Sequence, residues 1–374
     1  MFLDVSQAVH YHLGEFPPPA LDYQALMPSL LSATAALARY DQMLRGLHNS
    51  ELFLAPLRGQ EAVVSSRMEG TISTLDEILQ MEAEYGEDDA GAAQVFRSDA
   101  IETVLYRRAL NTAQEQLEQG RVLSESLLKS VHHQLLSFGR GAQKAPGLYK
   151  HQQNYIGQRA NRAVSFVPIA PEHLAGGMQA LFALMNDEAM PVLLRTALAH
   201  AEFEALHPFE DGNGRLGRML ITLMLWQGSA IAAPHFYVSR YLEDHKDEYL
   251  DRLRAVSAQG DWDGWCQFFF RAVEAQAIAN LAAAQDIQAL YGNMKERFAT
   301  LLSSKYAIAA LDYLFSNPIF SNSRFTREAG IAPQTAARFS RVLLGEGLLQ
   351  VVREASGQRS AVYRFEPLME KVRA

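Results

Sequence analysis

The chain has 374 residues, of which 48% are hydrophobic, and it carries a formal net charge of −8 at pH 7. This length exceeds that of one typical domain, and the composition is that of a folded protein with a substantial core, which excludes a disordered chain. The single cysteine, Cys266, excludes an internal disulfide framework and suits a reducing compartment, so we expect a cytoplasmic protein. Residues 1–10 lack a basic segment before an apolar run, and no apolar run reaches the roughly 18 residues of a transmembrane helix, so we expect no export signal and no membrane partner.

The first informative element is a helical pattern over residues 51–68. Ser65 and Glu69 are four residues apart, which places them one turn apart on the same face of that helix. Gly70 follows as a natural helix terminator, because glycine readily adopts the left-handed conformation common after a helix end. Without further context, this pattern describes an ordinary helix end with a solvated glutamate, and the acidic run over 82–89 describes a solvated loop.

Two short extended runs follow in the middle of the chain, over residues 152–157 and 163–168. They flank a polar centre and come after a turn at 144–150, which predicts a β-hairpin. An exposed edge of such a hairpin can pair with an extended segment of another protein.

A segment between two predicted helices carries the densest chemistry of the chain. Residues 192–206 have apolar side chains at helical spacing, and Pro208 disfavours helical conformation just before it, so we expect that helix to end there. A second helix, apolar over most of its girth, begins at Asn213. Phe209 in the linking loop is expected to be a buried anchor that turns its polar neighbours into a cleft.

The polar groups of this segment suit phosphate chemistry. A Gly-Asn-Gly turn at 212–214 opens the second helix, where free N–H groups and the helix dipole favour an anion. Arg215 and Arg218 can add a bidentate grip on phosphoryl oxygens. Histidine, with a reference pKa of about 6.5, is the side chain that accepts a proton near neutral pH, which indicates His207 as a base. An isolated His-Pro pair is more often a hydrogen-bonded loop element, so the whole pattern carries this interpretation.

Residues 207–218 resemble the signature of the Fic family, His-Pro-Phe-x-Asp/Glu-Gly-Asn-Gly-Arg-x-x-Arg, at every defined position. The resemblance implies a mainly α-helical fold with a β-hairpin flap, and transfer of AMP from ATP to a Ser, Thr or Tyr hydroxyl of a target protein or of the chain itself. It implies that His207 is the catalytic base and that Asp211 binds the Mg²⁺ that neutralises the departing pyrophosphate. Arg215 then lies at the β-phosphate and Arg218 at the γ-phosphate. The residues that the resemblance places around the nucleotide are Gly212, Asn213, Gly214, Arg215, Leu216, Gly217 and Arg218.

The upstream helix end is similar to the inhibitory pattern of the same family, Ser/Thr-x-x-x-Glu-Gly/Asn, with Ser65 and Glu69 at its defined positions. The resemblance implies that Glu69 reaches Arg218, which removes this arginine from the γ-phosphate and places a carboxylate there. A competing enzymatic interpretation is the removal of AMP from a modified target, in which Glu69 orients a water molecule.

The resemblance also assigns two further parts of the nucleotide and target site. The predicted hairpin is a flap that holds the target hydroxyl in line with the α-phosphate. Tyr241 is placed to stack on the adenine and His245 to bond an adenine nitrogen. The aromatic residues around 236–253 suit a hydrophobic core equally well, so this assignment leaves both alternatives open.

The C-terminal segment differs in charge from the rest of the chain. Residues 303–374 contain ten Lys or Arg and six Asp or Glu, a net charge of +4 within a chain of −8. We predict helices over 306–315, 323–330 and 333–345 and strands over 348–352 and 360–365, an order that resembles a winged-helix domain. Candidates for contacts with DNA phosphates are Arg338, Arg341, Arg353 and Arg359.

Winged helices also dock proteins or form dimers, so DNA, a protein and a second copy of the chain all stay open as partners. A rival function is a DNA-binding regulator whose Fic core only senses nucleotide. We expect three domains: an N-terminal helical region over 1–105 with the inhibitory motif, a Fic core over 106–290, and a winged-helix domain over 300–374. The histidines lack zinc-site spacing, so we expect no structural metal.

Overall fold

The computed structural model describes residues 4–47, 51–86, 89–93, 95–157, 163–357 and 359–373. The fold is mainly helical with small sheets, as the sequence predicts. Along the chain, the helices are α1 (Tyr23–Arg45), α2 (Glu51–Met68), α3 (Leu75–Tyr85), α4 (Asp89–Ala92), α5 (Ser98–Glu118), α6 (Glu125–Leu135), α7 (Pro171–Met185), α8 (Val192–Leu206), α9 (Asn213–Gln227), α10 (Ser239–Asp244), α11 (Lys246–Gln259), α12 (Trp262–Leu302), α13 (Ala307–Ser316), α14 (Asn322–Glu328), α15 (Pro333–Gly345) and α16 (Glu366–Arg373). The strands are β1 (Val9–His10), β2 (Ile156–Gly157), β3 (Val164–Val167), β4 (Ile319–Ser321), β5 (Leu349–Arg353) and β6 (Val362–Phe365).

The chain forms two compact units. The first contains Met1–Asp41 and Arg108–Ile278, and the second contains Gln42–Arg107 and Ala279–Ala374. The second unit therefore groups residues of the predicted N-terminal region with those of the predicted C-terminal domain, and the predicted boundaries stay a prediction. Within the described ranges, no helix combines the length and apolar character needed to cross a membrane.

A buried pair of helices, α8 and α9, forms the centre of the first unit. Every residue of α9 from Asn213 to Leu225 is buried. Gly217 allows the two helices to approach closely, because a Cβ there would lie 2.3 Å from Glu204 Oε1 and 3.1 Å from Phe203 Cδ1. The six residues between these helices are the loop that carries the signature.

His200 joins three helices in this core. Its Nδ1 lies 3.1 Å from the carbonyl oxygen of Gly217 on α9, and its Nε2 lies 2.9 Å from the hydroxyl of Tyr249 on α11. Because a carbonyl only accepts, Nδ1 carries the proton and Nε2 accepts from the tyrosine. Burial lowers the pKa of His200 to about 3, so the ring is neutral at pH 7 and bridges helices.

The predicted hairpin is present as the antiparallel pair of β2 and β3, with Ile156 opposite Phe166. Its centre, residues 158–162, lies outside the described residues. The sequence did not predict that β1 adds to β3 in parallel, with Val9 opposite Phe166, to give the strand order β1-β3-β2. A two-residue strand is too short to show alternation, so only the pairing reveals it.

In the second unit, α2 packs against α3, α13 and α16, and α3 lies on the sheet formed by β4, β6 and β5. The C-terminal helices α13, α14 and α15 occupy the predicted positions, and β5 and β6 pair in antiparallel fashion. The sequence missed β4 and α16. Gln358, in the predicted wing turn, lies outside the described residues, and the winged-helix assignment itself stays a prediction.

The four arginines predicted to contact DNA already have partners within this unit. Arg338 Nη2 donates to the Leu302 carbonyl at 2.9 Å, and Arg341 Nε donates to the Ala337 carbonyl at 3.4 Å. Arg353 Nε lies 3.2 Å from Glu84 Oε1. The guanidinium of Arg359 lies over the ring of Tyr85, 5.8 Å from its centre. DNA would therefore have to compete with α3 for two of these side chains.

Asp76 ties α3 to the end of the chain. Its carboxylate accepts hydrogen bonds from Arg373 Nε at 2.8 Å, from Arg373 Nη2 at 2.6 Å and from Arg364 Nη1 at 2.9 Å. Partial burial raises the pKa of this carboxyl, but hydrogen bonds and positive charge from Arg373 and then from Arg364 outweigh it, so the pKa of Asp76 lies below its ordinary value.

We expect Asp76→Asn to lower the free energy of unfolding by about 1 kcal/mol at neutral pH, because it removes the charge from a partly exposed ion-pair network. Folding lowers the pKa of Asp76, so this stabilisation is complete above the unfolded pKa of about 3.9 and is lost as the pH falls through the lower folded value. Urea denaturation of both proteins from about pH 7 to about pH 3 measures the difference. A difference that does not shrink below about pH 4 would show that the charge of Asp76 is not its cause.

Candidate functional site

The signature loop begins at a sharp change of backbone direction. Helix α8 ends at Leu206, and His207 adopts the left-handed conformation with φ 45° and ψ 61°. The His207 N–H still donates to the Phe203 carbonyl at 3.0 Å, and Pro208 cannot continue the helix. The predicted helix end is thus where the sequence placed it, and the turn leaves the imidazole beyond the end of the helix.

Phe209 anchors the loop in the core, as predicted. It is fully buried, and its ring stacks on that of His132 with the ring centres 3.7 Å apart and the planes at 11°. The ring of Tyr149 lies 5.3 Å away at a tilted angle. Burial of this aromatic side chain fixes the position of the loop backbone and so of the polar residues on both sides of Phe209.

Asn213 closes the loop through its side chain. Its Oδ1 accepts from the Phe209 N–H at 2.9 Å, and its Nδ2 donates to the Phe209 carbonyl at 2.8 Å. The amide therefore substitutes for a backbone partner of Phe209 and keeps the loop narrow. What Asn213 can offer to a phosphate is its main-chain N–H, in the first turn of α9.

His132 on α6 is a supporting residue that the sequence did not reveal. Its Nδ1 accepts from the Gly147 N–H at 2.8 Å, so Nε2 carries the proton and donates to the Asp211 carbonyl at 2.9 Å. Burial lowers the pKa of His132 to about 4, so the ring stays neutral at pH 7. It lies 79 residues before Asp211, and no local pattern signals such a long-range contact.

Asp211 points a carboxylate out of the loop. Its Oδ1 accepts from the Gly212 N–H at 2.6 Å, and its side chain is 42% exposed. Gly212 has φ 78°, a conformation that glycine adopts without strain. Among the described residues, no group of three or more metal-binding side chains is present. A carboxylate exposed in this way has the oxygen atoms that Mg²⁺ prefers, and the assignment of Asp211 to a metal stays a prediction.

Arg215 is the most informative side chain of the site. It is 3% exposed, and its Nη2 lies 3.6 Å from Asp211 Oδ1. Within the part of the chain that the structure describes, no group accepts a hydrogen bond from its Nε or Nη1. A buried guanidinium with unused donors is costly unless water or an anionic ligand completes the set.

The rest of the predicted nucleotide segment lies in the first turns of α9. Gly214 and Arg218 are buried, as is Leu216 between the helices. A Cβ at Gly217 would need the side chains of Glu204 and Phe203 on α8 to move. Gly212, which precedes the helix, has no side chain to cap it, so the first-turn N–H groups of α9 face the loop in the manner of an anion site.

Tyr241 and His245 lie together, with their ring centres 4.0 Å apart and their planes at 16°. The His245 Nδ1 lies 3.0 Å from the Tyr241 carbonyl oxygen, which can only accept, so Nε2 of His245 is an acceptor. The Tyr241 N–H donates to Gln276 Oε1 on α12 at 2.9 Å. The structure thus brings the two predicted adenine contacts together as one stacked pair.

The predicted inhibitory residues lie at the end of α2 in the second unit, whereas residues 207–218 belong to the first. Helix α2 has the predicted bounds, and Ser65 is buried within it. Glu69 follows the helix with an exposed side chain, and its N–H donates to the Ser66 carbonyl at 3.1 Å. Gly70 has φ 84°, as expected for a residue after a helix end. The contact between Glu69 and Arg218 stays a prediction.

Two family models match the chain: "Fic/DOC family N-terminal" over residues 27–115 and "Fic/DOC family" over residues 122–225. Together they span more than half of its 374 residues. The chain belongs to the Fic/DOC family. The second match ends within α9, so the family's own region includes the whole signature loop of this Fic chain.

Named relatives agree with this membership. A probable protein adenylyltransferase of Aquifex aeolicus is 23% identical to this Fic chain over 316 residues, 81% of this chain and 85% of the relative. A Fido domain-containing protein of Dictyostelium discoideum is 30% identical over 121 residues, 31% of this chain and 74% of the relative. Protein adenylyltransferase fic-1 of Caenorhabditis briggsae is 31% identical over 118 residues, which span 28% of this chain and only 22% of that relative.

Solved structures show the same fold. A Fic family protein from Desulfovibrio desulfuricans matches with a TM-score of 0.56 and 16% identity over 94% of this Fic chain and 98% of that one. Residues 134–508 of Fic-1 from Caenorhabditis elegans match with a TM-score of 0.54 and 18% identity over 69% of this chain and 74% of that one. The Desulfovibrio protein thus matches the Fic core and most of the remaining chain.

Proposed function

We propose that this Fic chain is a self-inhibited protein adenylyltransferase, which transfers AMP from Mg·ATP to a Ser, Thr or Tyr hydroxyl of another protein or of itself. The observation that carries the proposal is the buried guanidinium of Arg215, whose Nε and Nη1 lack acceptors among the described residues, in the first turn of α9 directly after the loop of His207 and Asp211. Polyphosphate oxygens are the acceptors that fit this fork. The adenylyltransferase names of the Aquifex and Caenorhabditis relatives support the same activity.

In this proposal, His207 removes the proton from the target hydroxyl as its oxygen attacks the α-phosphorus. The new O–P bond forms while the bond between the α-phosphorus and the bridging oxygen breaks, and pyrophosphate leaves with the electron pair. A histidine is neutral near pH 7 and can accept this proton. The turn at φ 45° places His207 directly after the end of α8.

The other residues of the loop bind the triphosphate. First-turn N–H groups of α9 and the guanidiniums of Arg215 and Arg218 hold phosphate oxygens, which lets the α-phosphorus keep one orientation. The exposed carboxylate of Asp211 fits the oxygen ligands that Mg²⁺ prefers. Mg²⁺ bound there supplies positive charge for the departing pyrophosphate.

The stacked pair of Tyr241 and His245 is proposed to select the base. The exposed His245 ring offers Nε2 as an acceptor, which suits the amino group of adenine. The edge of the β2–β3 hairpin is proposed to hold the target segment by strand addition. The phosphate grip itself does not discriminate between bases, so the nucleotide is part of the test below.

Self-inhibition is proposed to depend on Glu69. Its carboxylate would pair with Arg218 and so compete with the γ-phosphate for the same guanidinium. The motif lies at the end of a helix whose bounds match the predicted ones, and the Glu69 side chain, just beyond that end, is exposed.

We expect Glu69→Gly to raise transfer of label from ATP, because the competing carboxylate is gone. Wild-type protein, Glu69→Gly and Glu69→Gln are incubated with each of four α-labelled nucleoside triphosphates, alone and with cell lysate, and modified peptides are identified by mass spectrometry. Glu69→Gln removes the charge but keeps the size of the side chain, so activation of both variants assigns inhibition to the carboxylate. Equal labelling in wild type and Glu69→Gly would remove the inhibitory assignment.

The same proteins distinguish the rival functions. Release of AMP from a modified target by wild type, together with its loss in Glu69→Gly, would indicate the de-AMPylating hydrolase in which Glu69 orients water. Specific DNA binding without any transfer of label, even in Glu69→Gly, would indicate the DNA-binding regulator.

A further inference from the structure

The four consecutive main-chain carbonyl groups of residues 206–209 all accept hydrogen bonds from N–H donors, and most of these donors lie in the segment before β2. Lys150 and Asn154 supply most of these donors, and Asn213 supplies one. Lys150 donates from Nζ to the Leu206 carbonyl at 3.0 Å and from its main-chain N–H to the Pro208 carbonyl at 2.9 Å. Asn154 Nδ2 donates to the His207 carbonyl at 3.0 Å and to the Phe209 carbonyl at 3.1 Å. Asn213 Nδ2 also donates to the Phe209 carbonyl, at 2.8 Å.

This pattern matters because the backbone at His207 is unfavourable by itself. A residue with a Cβ rarely adopts φ 45°, and it does so only where its surroundings impose the conformation. The last carbonyls of α8 also lack partners within the helix, and a cation at a helix C-terminus interacts favourably with them. Lys150 and Asn154 therefore supply hydrogen-bond donors to the main-chain carbonyls before and after His207.

Both donor hydrogens and the acceptor oxygen of the Asn154 side chain are engaged in this arrangement. Its two Nδ2 hydrogens serve the carbonyls of His207 and Phe209, and its Oδ1 accepts from Lys150 Nζ at 2.8 Å. Asn154 is only half-buried and lies in a loop, so its side chain is not part of the hydrophobic core. Because both donors of this amide bind the turn at His207, we infer that Asn154 serves the conformation of that turn rather than the general stability of the fold.

Lys150 is 3% exposed, an unusual place for an ammonium group. Burial lowers its pKa to about 7, but the neutral amine still has two N–H groups and keeps both hydrogen bonds, to Leu206 and to Asn154. The contact with the helix end is thus retained in either protonation state.

We propose that Lys150 and Asn154 are positioning residues, which hold the main chain of residues 206–209 so that the imidazole of His207 is aimed at the target hydroxyl. The inference rests on the proposed function for its catalytic consequence. Loss of the hydrogen bonds from Lys150 and Asn154 to residues 206–209 should lower kcat. It should leave ATP binding unchanged, because neither side chain belongs to the residues assigned to the triphosphate.

The experiment uses the full chain with Glu69→Gly as the parent. Asn154→Asp replaces the donating amide by a carboxylate of the same shape, and Lys150→Met keeps the stem of the side chain without its donors. We expect kcat for label transfer to fall by roughly 10–100-fold in each, the effect of a small misplacement of a catalytic group, with KM for ATP within about twofold. Lys150→Arg, which restores N–H donors at this place, is expected to recover kcat to within about threefold of the parent.

Two controls distinguish unfolding of a variant from misorientation of the His207 imidazole. Calorimetric titration with Mg·ATP must give the parent affinity in each variant, and Gln143→Ala, an exposed residue upstream of this segment with no assigned role, must keep the parent kcat. Parent kcat in both Asn154→Asp and Lys150→Met would overturn the proposal. A rise in KM with unchanged kcat would do the same, because it would place the two residues in nucleotide binding.

Nuclear magnetic resonance of the His207 ring, assigned by its absence in His207→Ala, gives a readout without turnover. We expect the ring resonances of His207 to shift in Asn154→Asp and Lys150→Met and to return towards the parent position in Lys150→Arg. If the parent transfers no label, the proposed function fails while this readout still tests the positioning. Unchanged His207 resonances in both variants would overturn the positioning role whatever the activity.

Discussion

His207→Ala is expected to reduce AMP transfer by roughly 10²–10⁴-fold, which corresponds to about 3–5 kcal/mol of activation free energy. The change removes the proton acceptor while the loop stays anchored by the buried ring of Phe209 and closed by Asn213. The measurement is the single-turnover rate of label transfer from ATP, in the Glu69→Gly background, so that inhibition does not hide the loss.

The matched control for this change is His133→Ala. His133 is an exposed histidine on α6 next to His132, and we expect its loss to leave the rate unchanged. Binding of Mg·ATP should also persist in His207→Ala, because the residues proposed to hold the triphosphate are intact. A His207→Ala protein that transfers label at the parent rate would refute the assignment of the base.

Arg215→Leu is expected to weaken Mg·ATP binding and at the same time to stabilise the protein without nucleotide. Charge-assisted bonds from a guanidinium to phosphate are worth about 1.5–3 kcal/mol, so the affinity should fall by roughly 10–100-fold. In the absence of nucleotide, two buried nitrogens of Arg215 lack acceptors among the described residues. Burying such donors costs about 1–3 kcal/mol, so a leucine there should raise the free energy of unfolding by about 1 kcal/mol.

Urea denaturation without nucleotide measures the stability, and calorimetric titration with Mg·ATP measures the affinity. Arg254→Leu is the matched control, since Arg254 on α11 pairs with Asp251 at 2.5 Å on the surface of the same unit. We expect this control to change the free energy of unfolding by less than about 0.5 kcal/mol and to keep the parent affinity. An Arg215→Leu protein that is less stable and binds Mg·ATP as tightly as wild type would indicate a structural role for the arginine.

The helix boundaries around the site could be predicted from the sequence because their signals are local. The bounds of α8, α9 and α2 all match the predicted ones. In each case, the apolar periodicity shows the extent of the helix, and Pro208, a Gly-Asn-Gly turn or Gly70 marks an end. The signature residues lie within twelve consecutive positions, so their types and spacing are also visible without any tertiary contact.

Elements defined only by their pairing were missed. Strand β1 has two residues, β4 has three, and each is recognised by its neighbours β3 and β6. Helix α16 follows β6 directly, without a separating turn. Two or three residues do not establish a period, so the sequence held no usable evidence for the strands. Helix α16 buries Leu368, Met369 and Val372 at helical spacing, a local signal that could have predicted it.

The sequence by itself determined which residues can perform the chemistry and where the helices that carry them begin and end. The tertiary structure alone decided what holds them: His132 lies 79 residues from the carbonyl that it supports, and Asn154 lies 53 residues from the carbonyl of His207. Supporting contacts form between residues that are distant in sequence and that the fold brings together. A main-chain carbonyl accepts a hydrogen bond from any well-placed N–H donor, so its partner has no fixed residue type. A sequence pattern records residue types at short separations, so it reveals the candidate reacting groups and leaves the residues that support them unseen.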